Sequence, residues 1–169
     1  MDAIELLKQQ HRVVESLFEQ LEETEDEDEK VELVQELADN LAAHTTIEER
    51  IFYPTAYGDE TEDLLEEAVE EHLSAKRILA DLLKMEATDE NFDAKIKVLK
   101  EQIEHHVEEE EGKLFPKVQS HLEAGLLESM GTQMEELFEK EMDQQPSAGI
   151  PGETDRAAPL KAKRSRPQA

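Results

Sequence analysis

Residues 44–54 read HTTIEERIFYP, and their spacing decides the fold. His44 and Glu48 stand four apart, which on a helix places one above the other. Leu37, Leu41 and Ile51 fall on the same face. A histidine and a carboxylate therefore interrupt a stripe that belongs in a core. An unpaired ionised carboxylate is costly to bury, so the stripe calls for a compensating partner.

The pattern recurs along the chain. Asp2 is a good N-cap, and the first predicted helix runs from it to about Glu22, with Ile4, Leu7, Val14, Phe18 and Leu21 as its stripe. The acidic run at 24–29 is a turn. A second helix extends to about Ala56 and adds Val34 to the residues already named. YGDET at 57–61 breaks it. The third, about 62–86, carries Leu65, Ala68, Ala75, Leu79 and Leu82, and after ATDEN the fourth carries Ile96, Leu99, Ile103 and Leu114. Pro116 should end or kink that helix. All four stripes follow the 3–4 spacing of a bundle seam. All four hold a histidine near mid-helix: His11, His44, His72 and His106.

HVEEEEGKLFP at 106–116 repeats HTTIEERIFYP: histidine, glutamates four and five residues on, a phenylalanine near the end, then proline. The chain reads as a two-helix hairpin used twice. At about 1.5 Å rise per residue the four histidines fall within roughly one turn of a common plane. The expected fold is all-α, an up-down-up-down four-helix bundle with an additional short C-terminal helix over about 121–142. Residues 1–142 then form the helical domain. Residues 143–169, rich in Pro, Gly and small residues, are expected to be a disordered tail. Its Lys161, Lys163, Arg164 and Arg166 read as solvated charge.

The 169 residues carry 44 acidic and 18 basic side chains, a net charge of −26. That balance opposes binding to a nucleic-acid backbone, which needs basic surface, and favours attraction of cations. There is no cysteine, so disulfides, thiolate metal sites and iron–sulfur clusters are excluded. No apolar run approaches the ~18 residues of a membrane span. The N-terminus lacks signal-peptide segments, so the expected location is cytoplasmic.

Up-down helices with short turns bring His11, His44, His72, His106, Glu48 and Glu110 together, and a metal compensates the buried charge. Four imidazoles and two carboxylates suit a pair of ions, and nitrogen and oxygen donors without sulfur suit iron or manganese. One tetrahedral zinc would need only four ligands. Any one of these histidines could be a satisfied core residue; four in the seam, two with the same glutamate offset, are poorly explained that way.

The pattern H…HxxxE…H…HxxxE over about residues 5–118 resembles the hemerythrin-like, HHE cation-binding proteins. The resemblance implies a four-helix bundle with two iron ions in an oxo- or hydroxo-bridged centre. It implies His11, His44, His72 and His106 as terminal ligands and Glu48 and Glu110 as bridges. It also implies binding of dioxygen or a related small molecule (peroxide, nitric oxide), in oxygen, redox or iron sensing or stress defence. The sequence departs from the oxygen carriers where their third helix has HxxxH: His72 is followed by Lys76. Their fourth helix has HxxxxD where this one has HxxxE. Glu71, Tyr53 and His105 are the candidates to complete the set. Glu49 and Glu111 are expected outside the ligands, and His121 at the surface.

Two rivals accompany this reading. One is a di-iron enzyme that decomposes peroxide or reduces nitric oxide; the ferritin-like version is disfavoured because its Glu-x-x-His motif is missing. Leu41, Val69, Gln102 and Ile103 stand three before His44, His72, His105 and His106. The other is a metal-free helical interaction module.

Overall fold

A computed structural model describes residues 1–160. Among them the chain forms α1 (Ala3–Glu23), α2 (Glu27–Ile47), α3 (Tyr53–Ala56), α4 (Glu62–Leu82), α5 (Phe92–Glu109), α6 (Phe115–His121) and α7 (Ala124–Met142), followed by a 3₁₀ segment, Pro146–Glu153. The bundle helices are α1, α2, α4 and α5. Local chemistry sets their ends. Asp2 and Glu5 form a reciprocal capping box on α1. Asp26 accepts from Glu29 N–H at the start of α2, where Glu27, Asp28 and Glu29 complement the helix dipole. Asn91 takes the left-handed conformation (φ 72°) that asparagine tolerates, and α5 begins after it. The third helix is shorter than expected: beyond Leu82 the chain tightens into turns, with Lys84 N–H on Asp81 O and Met85 N–H on Leu82 O.

Neither Pro54 nor Pro116 ends its helix. A widened π turn absorbs each one: Glu48–Phe52 joins α2 to α3, and Glu110–Leu114 joins α5 to α6. Proline cannot donate, and its ring clashes with the carbonyl four residues back. The residue before it therefore bonds one residue further away, Tyr53 N–H to Glu48 O and Phe115 N–H to Glu110 O. Because α6 continues to His121, the last helix starts at Ala124 and not near 121.

The apolar interior comes in two parts. One gathers Ile4, Leu7, Phe52, Tyr53, Leu65, Phe115 and Met134; the other gathers Val14, Phe18, Leu37, Leu79, Phe92 and Leu99. The four histidines lie between them in sequence on every bundle helix, and all are buried. α7 covers the first part, laying Gly131 against the start of α1. A Cβ there would sit 2.3 Å from the Met1 carbonyl oxygen.

The segment after Met142, expected to be disordered, is structured as far as Leu160. The 3₁₀ segment lies along both α2 and α4. Ser147 N–H donates to Asp39, and Arg77 donates to the Thr154 and Asp155 carbonyls. Ile150 is fully buried in the second apolar part, and Leu160 is buried in the first. Two isolated apolar anchors and side-chain-to-backbone bonds hold it, which leave no periodic signal. Residues 161–169, with the basic cluster, lie outside the described residues. No helix among the described residues is long and apolar enough to cross a membrane.

Two stability outcomes follow from this packing. Gly131→Ala should cost about 1–3 kcal/mol by overpacking, whereas Gly125→Ala, with nothing near its Cβ position, should be neutral or slightly stabilising. Ile150→Ala should cost about 2–5 kcal/mol, the usual range for emptying a buried aliphatic site. Urea unfolding of the variants measures both.

Candidate metal centre

The six seam residues from the sequence meet in one layer. Glu48 is 0% and Glu110 2% exposed, and the four histidines are between 2% and 5% exposed. Each carboxylate faces one imidazole from its own helix and one from the other hairpin. Glu48 Oε1 lies 3.0 Å from His44 Nε2 and 3.3 Å from His72 Nε2. Glu110 Oε1 lies 3.1 Å from His106 Nε2 and 3.3 Å from His11 Nε2. The arrangement contains two donor groups able to hold a cation: His11, His44 and Glu110, and Glu48, His72 and His106. Within each, the donor atoms lie inside 4.8 Å of one another.

The outer ring nitrogens are all engaged. His11 Nδ1 meets Glu111 at 2.7 Å, His44 Nδ1 meets Gln10 at 2.7 Å, His72 Nδ1 meets Glu49 at 2.8 Å, and His106 Nδ1 meets Glu71 at 2.8 Å. An imidazole that donates from Nδ1 turns its Nε2 lone pair inward, the arrangement common to metal-binding histidines. Cations brace two of these carboxylates: Arg12 pairs with Glu111, and Lys76 pairs with Glu49 at 3.4 Å.

Only some of the inner atoms find partners: His72 Nε2 lies 3.3 Å from His106 Nε2. His11 Nε2, His44 Nε2, both Glu48 oxygens and Glu110 Oε1 complete no hydrogen bond despite approaches near 3 Å. Each such buried group costs about 1–3 kcal/mol or more if charged. The donor set fits a cation: oxygen and imidazole nitrogen, converging, with their outer atoms fixed.

Burial would lower the pKa of His11, His72 and His106, but the carboxylates reverse this. His106 is raised well above the ordinary histidine value by Glu110, Glu71 and Glu48. His11 is raised by Glu110, Glu48 and Glu111, and His72 by Glu48 and Glu49. Burial would raise Glu110, yet His106, Glu48 and His11 hold it well below the carboxylate range. The layer is thus a strongly negative field that draws in positive charge, protons included.

Of the candidates to complete the set, Tyr53 alone enters the layer. It is fully buried and donates to Glu110 Oε2 at 2.8 Å, with His72 Nε2 3.2 Å from its hydroxyl. Burial and the neighbouring carboxylates keep this phenol protonated, its pKa raised well above 10. Glu71 backs His106 from outside. His105 is exposed and 3.7 Å from Glu71. His121 is exposed and pairs with Glu60 at 3.0 Å. Sequence reasoning missed Gln10; the signal was its place immediately before His11, matching Glu71 before His72.

Beside the layer is a cavity of about 30 Å³, room for one or two water-sized molecules. All four histidines line it, with Val14, Leu41, Leu79, Ile103 and Ile150 among its apolar residues and Thr45, Glu71, Lys76 and Gln102 among its polar ones.

Fold and site together describe a helical bundle with a buried histidine–carboxylate cradle for cations. Residues 2–118 match the family model for the hemerythrin HHE cation-binding domain, and the chain belongs to that family. A crystal structure of a hemerythrin HHE cation-binding domain-containing protein from Mycobacterium kansasii superposes with a TM-score of 0.76 at 25% identity, covering 96% of this chain and 99% of that one. An uncharacterized hemerythrin-like protein of Schizosaccharomyces pombe is 28% identical over 115 residues, 66% of this chain and 57% of that protein. A DNA nickase of Nostoc sp. is 24% identical over 133 residues, 79% of this chain and 38% of that protein. The chain thus spans well under two thirds of both curated relatives.

The pKa directions set opposite pH trends for the two forms. In the metal-free protein the imidazole contributions are complete below about 6.5 and fade as pH rises through their raised folded values. The Glu110 contribution is complete above about 4.5 and fades as pH falls through its depressed value. Metal-free protein should therefore be most stable between these limits and lose melting temperature above pH 6.5. Metal-loaded protein should lose melting temperature as pH falls below 6.5, because protons displace the metal. Melting curves across pH 4–9, with and without iron, check both slopes.

Proposed function

We propose that this protein holds two iron ions through His11, His44, His72 and His106, with Glu48 and Glu110 between the ions and Tyr53 as a further oxygen donor. The convergence of four Nε2 atoms on two carboxylates with unsatisfied oxygens carries the reading. Two cations neutralise those oxygens where protons leave them partly orphaned. Nitrogen and oxygen donors without sulfur favour iron or manganese. Iron, when bound, supplies a redox-active centre that takes up a small molecule.

The cavity argues for the kind of molecule. Its size admits a diatomic, and the aliphatic side chains Val14, Leu41, Leu79, Ile103 and Ile150 among its walls favour an uncharged one. Dioxygen and nitric oxide fit this description, and peroxide fits by size. Binding of such a molecule, used in oxygen, redox or iron sensing or in stress defence, is the function the geometry supports best. Tyr53 keeps a second reading open, that of an enzyme that decomposes peroxide or reduces nitric oxide. Its protonated hydroxyl against Glu110 holds a transferable proton inside the layer. DNA, named for the Nostoc relative, is not carried over: a net charge of −26 repels a phosphate backbone.

Elemental analysis after anaerobic iron loading should give two iron ions per chain. His44→Ala and His106→Ala should each lose at least one, and His121→Ala none. Near-ultraviolet and visible spectra should change on adding dioxygen or nitric oxide. Folded protein that takes up less than one iron, or equal iron in all three variants, overturns the assignment. Turnover of peroxide beyond one equivalent would select the enzyme reading.

A further inference from the structure

The two hairpins differ in the outer face each presents beside the layer. Five residues and one residue before His72, α4 carries Glu67 and Glu71. One residue before His106 and one before Glu110, α5 carries His105 and Glu109. Each pair is four apart and shares a helix face. The same positions of the first hairpin hold Leu6, Gln10, Ala43 and Ile47, none of them charged. That first set is buried, and α7 lies along both helices that carry it. In the second set Glu67 and His105 are exposed, and Glu71 and Glu109 are partly so.

Donor atoms of Glu67, Glu71 and His105 lie within 4.8 Å of one another. Two carboxylates and an imidazole suit a divalent ion, but on a chain of net charge −26 a group of surface acids signals little by itself. A second feature points inward from this one. A crevice of about 10 Å³ is lined by Glu67, Glu71, Glu109 and Glu110. Glu110 is the buried layer carboxylate whose Oε1 completes no hydrogen bond. Glu71 touches both sides, with Oε1 2.8 Å from His106 Nδ1 and Oε2 3.7 Å from His105 Nε2. Outside, Glu71 and His105 also border an open depression of about 380 Å³. Lys113 offsets Glu109 at 3.0 Å.

We infer that Glu67, Glu71 and His105 form an outer site for a divalent cation, and that ferrous iron enters the layer from it, past Glu109 to Glu110. A cleft lined by one sign of charge concentrates the opposite ion and speeds its entry. The crevice has room for about one water, too little for an ion with its full hydration shell. The ion therefore exchanges water for carboxylate oxygens as it moves inward, and the spacing of the glutamates keeps its charge compensated on the way. The outer site stands on this geometry alone, whereas the route rests on the reading of the layer as an iron centre.

Two measurements on the full chain test this. Crystals of iron-loaded protein soaked in zinc should show, by diffraction at the zinc edge, an ion between Glu67, Glu71 and His105. Metal-free protein mixed anaerobically with ferrous iron gives the rate of loading, and elemental analysis gives the final content. The double variant Glu67→Gln/His105→Ala should load about tenfold more slowly and still reach the iron content of the wild type, because neither residue is a layer ligand. Glu25→Gln makes the same charge change at the α1–α2 turn and should load at the wild-type rate. All three substituted side chains are exposed, and circular dichroism confirms that the variants fold. No zinc at the three residues overturns the outer site. A double variant that loads as fast as the wild type overturns the route, as does equal slowing by Glu25→Gln, and either result leaves the metal reading intact. A folded wild-type protein that takes up no iron instead removes the metal reading, and the route with it.

Discussion

Two carboxylates held in mid-bundle, each between imidazoles from both hairpins, constrain nearly everything else in this protein. Glu48 and Glu110 are as shielded as the leucines around them. A helical core gains stability by excluding water from apolar surface, and this core gives up its central layer to groups that resist such exclusion. The cost is tolerable only if positive charge arrives. Without metal the raised imidazoles supply it as protons, incompletely, because several inner atoms remain without a hydrogen bond. The outer partners Glu111, Gln10, Glu49 and Glu71 hold the rings so that little rearrangement is needed when an ion replaces the protons.

The prolines belong to the same design. Pro54 and Pro116 each force a turn one residue wider than the α-helix, and each widened turn begins at a layer carboxylate. In a regular helix, Tyr53 would stand about 100° per residue from its neighbours along one continuous spiral. The extra residue shifts that register, and Tyr53 and Phe115 come to lie against His72 and His11. π turns recur at functional sites for this reason: they re-aim side chains without ending the helix.

Much of this was legible in the sequence. Four stripes of 3–4 spacing, each broken by a histidine, specify both the bundle and the layer, because periodicity and burial are the same information for an amphipathic helix. The repeated His-x-x-x-Glu places two carboxylates in that layer. Three features escaped. Pro116 could be read as a break or a kink, but not as a widened turn, since the choice depends on what the helix packs against. The Gln10 contact involves a residue one position off the seam, which periodicity assigns to no partner. The order of residues 143–160 rests on Ile150 and Leu160, single anchors in a stretch whose composition otherwise matches a solvated chain.

The seating of that last stretch bears on what counts as one unit of this architecture. The family match stops at residue 118, yet a wall of the histidine cavity is Ile150. α2 and α4, the helices that donate His44 and His72, make little contact with each other, and the 3₁₀ segment lies along both. Grafting the four histidine-bearing helices into another scaffold would therefore transplant a cradle with one side unsealed. Among the described residues the sealed cradle includes Pro146–Glu153, a further stave of the bundle rather than an appendage to it.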